Sequence, residues 1–102
     1  MTDQQKAALL IRSDNFIIKL QNATYEDTDL LQVIDDMIYL LVSRLEYQDK
    51  LQWENTLNDI KDNDNITNKN EQENFRQLVN ELLKLIDKYK EFIRGDGGKY
   101  MC

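Results

Sequence analysis

The stretch Asn74 to Arg94, NFRQLVNELLKLIDKYKEFIR, decides the fold. Within it Phe75, Leu82 and Tyr89 recur every seven residues, as do Leu78, Leu85 and Phe92, and Val79, Ile86 and Ile93. Seven residues make two turns of an α-helix to within about 20°, so each set runs along one edge of a helix. The pattern predicts a helix from about Lys69 to Arg94. Asn68 and Glu71 have capping-box spacing at its start, and Gly95 is placed to stop it as a C′ glycine. The polar tail Asp96-Gly97-Gly98-Lys99-Tyr100-Met101-Cys102 is expected to be flexible.

Upstream, the same reading gives three further helices. A first helix is expected over about Asp3 to Gln21, with Thr2 and Gln5 forming a capping box. Its core stripe is read as Ala7, Leu10, Ile11, Ile17 and Ile18, interrupted by Asp14. Asn22 to Asp27 has turn chemistry and forms the first connection. A second helix is expected over about Thr28 to Gln48, its stripe being Leu30, Ile34, Met37, Ile38, Leu41 and Leu45. Val33, Leu40 and Tyr47 form a second stripe beside it. So wide an apolar arc predicts a central helix touching more than one neighbour. A short third helix, about Lys50 to Asp62, follows a break read from the Asp49–Gln52 capping spacing and from the new apolar phase of Trp53, Leu57 and Ile60. Neither Gly nor Pro marks that break, and one continuous helix is the alternative. Asp62 to Asn68 reads as a loop.

The chain has 102 residues and no Pro, and its three Gly all lie at positions 95 to 98. Turn-rich β folds need such residues, and their absence before position 95 favours an all-α domain. Amphipathic helices joined by short loops alternate up and down and share one core. The expectation is an antiparallel four-helix bundle over residues 1–95 and a tail over 96–102.

The net charge is −6, but it is uneven. Residues 76–102 carry Arg76, Lys84, Lys88, Lys90, Arg94 and Lys99 against Glu81, Asp87, Glu91 and Asp96. The first 75 residues hold seven bases against fifteen acids. An acidic chain lacks the basic footprint of a nucleic-acid binder. The spacings Lys84–Asp87, Asp87–Lys90 and Lys88–Glu91 suit local ion pairs on a solvated helix face. Trp53 and Tyr89 sit on apolar stripes and read as core. Tyr100 has no such pattern around it.

The sequence contains no His, and its one Cys is Cys102. That removes the commonest general base, the usual nucleophile–base arrangements and most zinc sites. Started at Asp62, a calcium loop would place Asp64 third and Glu73 twelfth. It would also put Ile66 fifth, without a side-chain oxygen, and Thr67 sixth, where the turn wants Gly. No cofactor, metal or enzymatic activity is therefore expected. Asp35 and Asp36 point about 100° apart on a helix and read as a solvated edge. The amino terminus has neither the basic nor the apolar stretch of a signal peptide, and Met37 to Val42 is too short to span a bilayer. A cytoplasmic protein is expected.

The order of elements resembles the immunity proteins against pediocin-like (class IIa) bacteriocins of lactic acid bacteria and streptococci, the enterocin A immunity group in particular. The resemblance rests on length, on Asp29-Leu30-Leu31-Gln32-Val33-Ile34 opening the second helix after a polar link, and on a short third helix. It rests also on Ile66-Thr67 leading to Glu73-Asn74-Phe75-Arg76-Gln77-Leu78, and on the glycine- and tyrosine-containing tail. It covers most of the chain, although a Pro/Gly break between the second and third helices is missing. The resemblance implies a four-helix bundle acting inside a Gram-positive cell. Its implied partner is a mannose phosphotransferase permease with bound bacteriocin, whose membrane lesion it blocks. It implies no nucleic acid and no membrane span, and is compatible with peripheral membrane association and a monomer. Specificity in such proteins is associated with the C-terminal half. On this chain that points to Lys84, Lys88, Arg94, Lys99 and Tyr100, the region already marked by its charge. The other reading is a small helical adaptor or inhibitor, for example phage-encoded, that binds a cytosolic protein.

Overall fold

The computed structural model describes residues 2–63 and 71–95. They form four helices and, among the described residues, no strand. These are α1 (Asp3–Gln21), α2 (Leu30–Met37), α3 (Tyr47–Asn63) and α4 (Glu71–Arg94), with a π-helical turn over Ile38–Val42 closing α2. The all-α, four-helix expectation holds. The second helix is the shortest of the four, however, and α3 runs for 17 residues.

Local chemistry sets the starts of α1 and α2. Thr2 Oγ1 accepts the Gln5 N–H at 3.1 Å, and Gln5 Oε1 accepts the Thr2 N–H at 2.9 Å. That reciprocal box satisfies two donors the helix cannot satisfy itself. The connection from α1 is tied at Thr24, whose carbonyl accepts the Thr28 N–H and whose hydroxyl accepts the Asp27 N–H. Asp29 then caps α2 by accepting from Leu31 and Gln32, so the helix opens at Leu30 rather than Thr28. The expected capping residue Asn68 lies outside the described residues. At the far end of α4 the Gly95 N–H still bonds the Glu91 carbonyl, and its φ is outside the left-handed region, unlike a C′ glycine.

Of the stripe expected on α1, Leu10 and Ile17 pack half-buried against the core, but the fully buried face lies beside it. Leu9, Ser13, Phe16 and Leu20 are buried, while Ile11 is 61% and Ile18 55% exposed. The helix has apolar residues on two sides, and the side that packs is the one carrying the larger Phe16. Ser13 sits at 0% exposure because its hydroxyl donates to the Leu9 carbonyl one turn back. Asp14 faces outward and interrupts nothing.

The break between α2 and α3 falls at Ser43–Glu46, not at Asp49. Asp49 instead lies in the first turn of α3, where a carboxylate suits the helix dipole. Tyr47 consequently belongs to α3 and is 76% exposed, and Ile38 and Leu40 are only half-buried. The break needs neither Gly nor Pro because other groups take up the freed carbonyls. Ile38 O accepts the Ser43 N–H in the wide π pattern, and Tyr39 O accepts the Ser43 hydroxyl. Leu40 O accepts Arg12 Nη1 of α1 at 3.1 Å, Leu41 O accepts the Tyr89 hydroxyl of α4, and Val42 O accepts the Leu45 N–H. Five successive carbonyls at a helix end thus each have a donor.

The core gathers around this turn. Leu30, Val33, Ile34, Met37, Leu41, Val42 and Leu45 meet Leu57 of α3 and Leu78, Leu82, Ile86, Tyr89 and Ile93 of α4. The cavity lined by residues of the turn, α3 and α4 measures about 10 Å³, room for one water at most. Trp53 of α3 packs edge-on to Tyr89, with ring centroids 5.4 Å apart, and tilted against Phe92 at 5.6 Å. Lys61 of α3 reaches back to Asp35 of α2 at 2.8 Å, so one of the two adjacent acids bridges helices. Asp36 accepts the Gln32 amide instead.

Candidate recognition surface

The C-terminal half of α4 divides its cations between two tasks. Lys90 turns toward α1 and pairs with Asp14, a cross-helix bridge in place of the expected one to Asp87. Lys84, Lys88 and Arg94 are exposed. Among the described residues, none of the three closes a hydrogen bond or ion pair, so the local pairing expected for Lys84 and Lys88 is not formed. Lys84 and Lys88 lie one turn apart, on one face. Arg94 shares its edge with Asp87, about 100° around the helix. Lys99 and Tyr100 lie outside the described residues.

A groove of about 620 Å³ lies between the end of α1, the α1–α2 connection and the N-terminal half of α4. Leu20, Val79 and Leu83 form its apolar floor, with Arg76 and Glu26 among its polar lining. Tyr25 and Phe75 meet edge to face at 5.9 Å and make one wall. Sequence reasoning had no signal for it, because it is made by segments some 50 residues apart.

Tyr89 is a described titratable group with a resolved perturbation. Burial pushes its phenol well above the ordinary tyrosine range, since a phenolate there would lose its water. The Arg12 guanidinium opposes that push only in part. The neutral hydroxyl therefore stays a donor to Leu41 O, a structural task. Among the described residues no three His, Cys, Asp or Glu side chains come together as a metal site would need. The positions Asp64, Ile66 and Thr67 tested for a calcium loop lie outside the described residues. No described helix is long and apolar enough to cross a membrane. The chain matches no protein-family model, no curated protein and no solved structure.

Proposed function

We propose that this chain is a protein-recognition domain that acts without catalysis, and that it confers immunity to a pediocin-like bacteriocin from inside the cell. The observation that supports this reading is the division of cations on α4. Lys90 is spent on Asp14, while Lys84, Lys88 and Arg94 remain exposed and unpaired with described residues. In a chain of net charge −6, such exposed cations can steer and orient an acidic partner. The partner proposed is a mannose phosphotransferase permease carrying its bacteriocin, with Lys99 and Tyr100 completing the contact.

Expression in a sensitive cell tests the proposal. The intact chain should protect against a narrow set of pediocin-like peptides. Deleting residues 96–102, or changing Arg94 and Tyr100 to Ala, should reduce protection while leaving the melting temperature nearly unchanged. Leu82→Ala, at 0% exposure, should lose fold and protection together. Full protection by the tail-deleted chain ends the site assignment. Failure of the intact chain against every such peptide ends the immunity reading.

A second reading, a helical adaptor or inhibitor of a cytosolic protein, is favoured by the 620 Å³ groove at the other half of α4. Asn80→Trp would fill that groove from an exposed position. Loss of partner capture in that variant, with capture intact in the Arg94 and Tyr100 variant, would select it.

A further inference from the structure

Arginine is seldom left idle in an acidic protein, yet two arginines here face one small cavity with no acid between them. The cavity, about 60 Å³, is lined by Gln5, Ala8, Leu9 and Arg12 of α1 and by Arg44 of the α2–α3 connection. It has room for a few waters. Arg12 is half-buried and spends Nη1 on the Leu40 carbonyl. A guanidinium has five N–H donors in a fixed fork, so four remain. Arg44 is exposed and makes no hydrogen bond or ion pair with any described residue. Gln5 uses its Oε1 on the Thr2 N–H, which leaves its NH₂ group as a further donor. Leu9 is buried and Ala8 half-buried, so the floor supplies no acceptor from a side chain.

The side-chain polar groups left free at this cavity are therefore donors, and two of them are cations of like sign. The amino end of α1, where Gln5 sits, adds the partial positive charge of a helix start. An arrangement of this kind is completed by an anion. Its chemistry can be narrowed further. A carboxylate carries a single charge, which would leave one guanidinium uncompensated. A phosphate group carries about −1.5 to −2 charges near neutral pH and enough oxygens to take a fork from each arginine.

We propose that the cavity between Arg12, Arg44 and Gln5 binds a phosphate group, tying the first half of α1 to the α2–α3 corner. Arg12 is the fixed half of the clamp, because its bond to Leu40 O holds it in place. Arg44 is the closing half. The site lies on elements other than the α4 surface, so it stands or falls independently of the immunity reading.

Titration of the full chain with inorganic phosphate, at constant ionic strength balanced by chloride, tests this. The readout is the NMR signal of the arginine Nε–H groups. Arg12 and Arg44 should shift saturably with phosphate and not with chloride. Arg44→Gln, which removes an exposed side chain with no described partner, should weaken the response about tenfold or more. Lys84→Gln should leave it unchanged. A parallel arm mixes the protein with vesicles of phosphatidic acid, whose headgroup is a phosphate monoester, or of phosphatidylcholine. Sedimentation with the first and not the second, lost in Arg44→Gln, assigns the phosphate to a lipid headgroup. A phosphate response without sedimentation assigns it to a free or small-molecule phosphate. Equal shifts with chloride, a phosphate response untouched by Arg44→Gln, or no response in either arm overturns the proposal.

Discussion

Tyr89→Phe isolates the contact on which the end of α2 depends. The ring stays, and with it the packing on Trp53 and Phe92, so only the hydroxyl donated to Leu41 O is removed. Among the described residues no other group donates to that carbonyl. Leu41 and Val42 are each 1% exposed and Tyr89 3%, so water has little access to replace the lost donor. A hydrogen bond exchanged with water contributes about 0.5–1.5 kcal/mol, whereas a buried acceptor left unpaired costs about 1–3 kcal/mol. Burial places this site toward the second range, at about 2 kcal/mol. Against a total stability of about 5–15 kcal/mol the loss is large. It should lower the urea midpoint by about 0.7–2 M and the melting temperature by about 8–16 °C. Urea titration followed by far-UV circular dichroism measures it. A loss below about 0.5 kcal/mol with an unchanged slope would refute the argument that the Tyr89 hydroxyl satisfies a buried carbonyl. The pH dependence supplies a second check. The folded state raises the phenol's pKa, so its stabilising contribution is fully present below the unfolded tyrosine value of about 10 and is lost as pH rises above it. The stability gap between wild type and Tyr89→Phe should therefore narrow above about pH 10.

Two further outcomes follow from the packing of α1. Phe16→Ala should cost about 3–5 kcal/mol, while Ile18→Ser, on the exposed side of the helix, should stay within about 0.5 kcal/mol of wild type in the same titration. Asp14→Asn, which breaks the bridge to Lys90 at a carboxylate 56% exposed, should cost no more than about 1 kcal/mol, and the difference should shrink in high salt.

Where structure is made locally, the residues announced it. The Thr2–Gln5 box marks the start of α1, and the heptad spacing of Phe75, Leu82 and Tyr89 marks the length and inner face of α4. Where partners come from far along the chain, they did not. The end of the helix at Ser43 is hard to read locally, because two of the donors that permit it, Arg12 and Tyr89, lie 28 and 48 residues from the carbonyls they hold. The packing face of α1 is hidden in the sequence for a related reason. Leu9, Leu10, Ile11, Phe16, Ile17 and Ile18 supply apolar side chains on both sides. A polar Ser13 and a charged Arg12 on the inner side hide the stripe that packs. Of the residues proposed for recognition, Lys84, Lys88 and Arg94 are legible as a charge asymmetry. Lys90, a member of the same basic cluster, could be separated from them only by seeing Asp14 beside it. The Arg12–Arg44 cavity was not legible at all, since it joins two residues that share no motif.

Trp53 is the only tryptophan in the chain, and it belongs to α3 while its two ring partners, Tyr89 and Phe92, belong to α4. The indole is thus an optical gauge of the seam between those helices. Parting them exposes the ring to water, which shifts its emission to the red, and separates it from Tyr89, its nearest energy donor. Stopped-flow fluorescence would time the docking of α3 against α4, and circular dichroism in the same mixing experiment would time the winding of the helices. Any lag between the two signals would date the closure of the bundle.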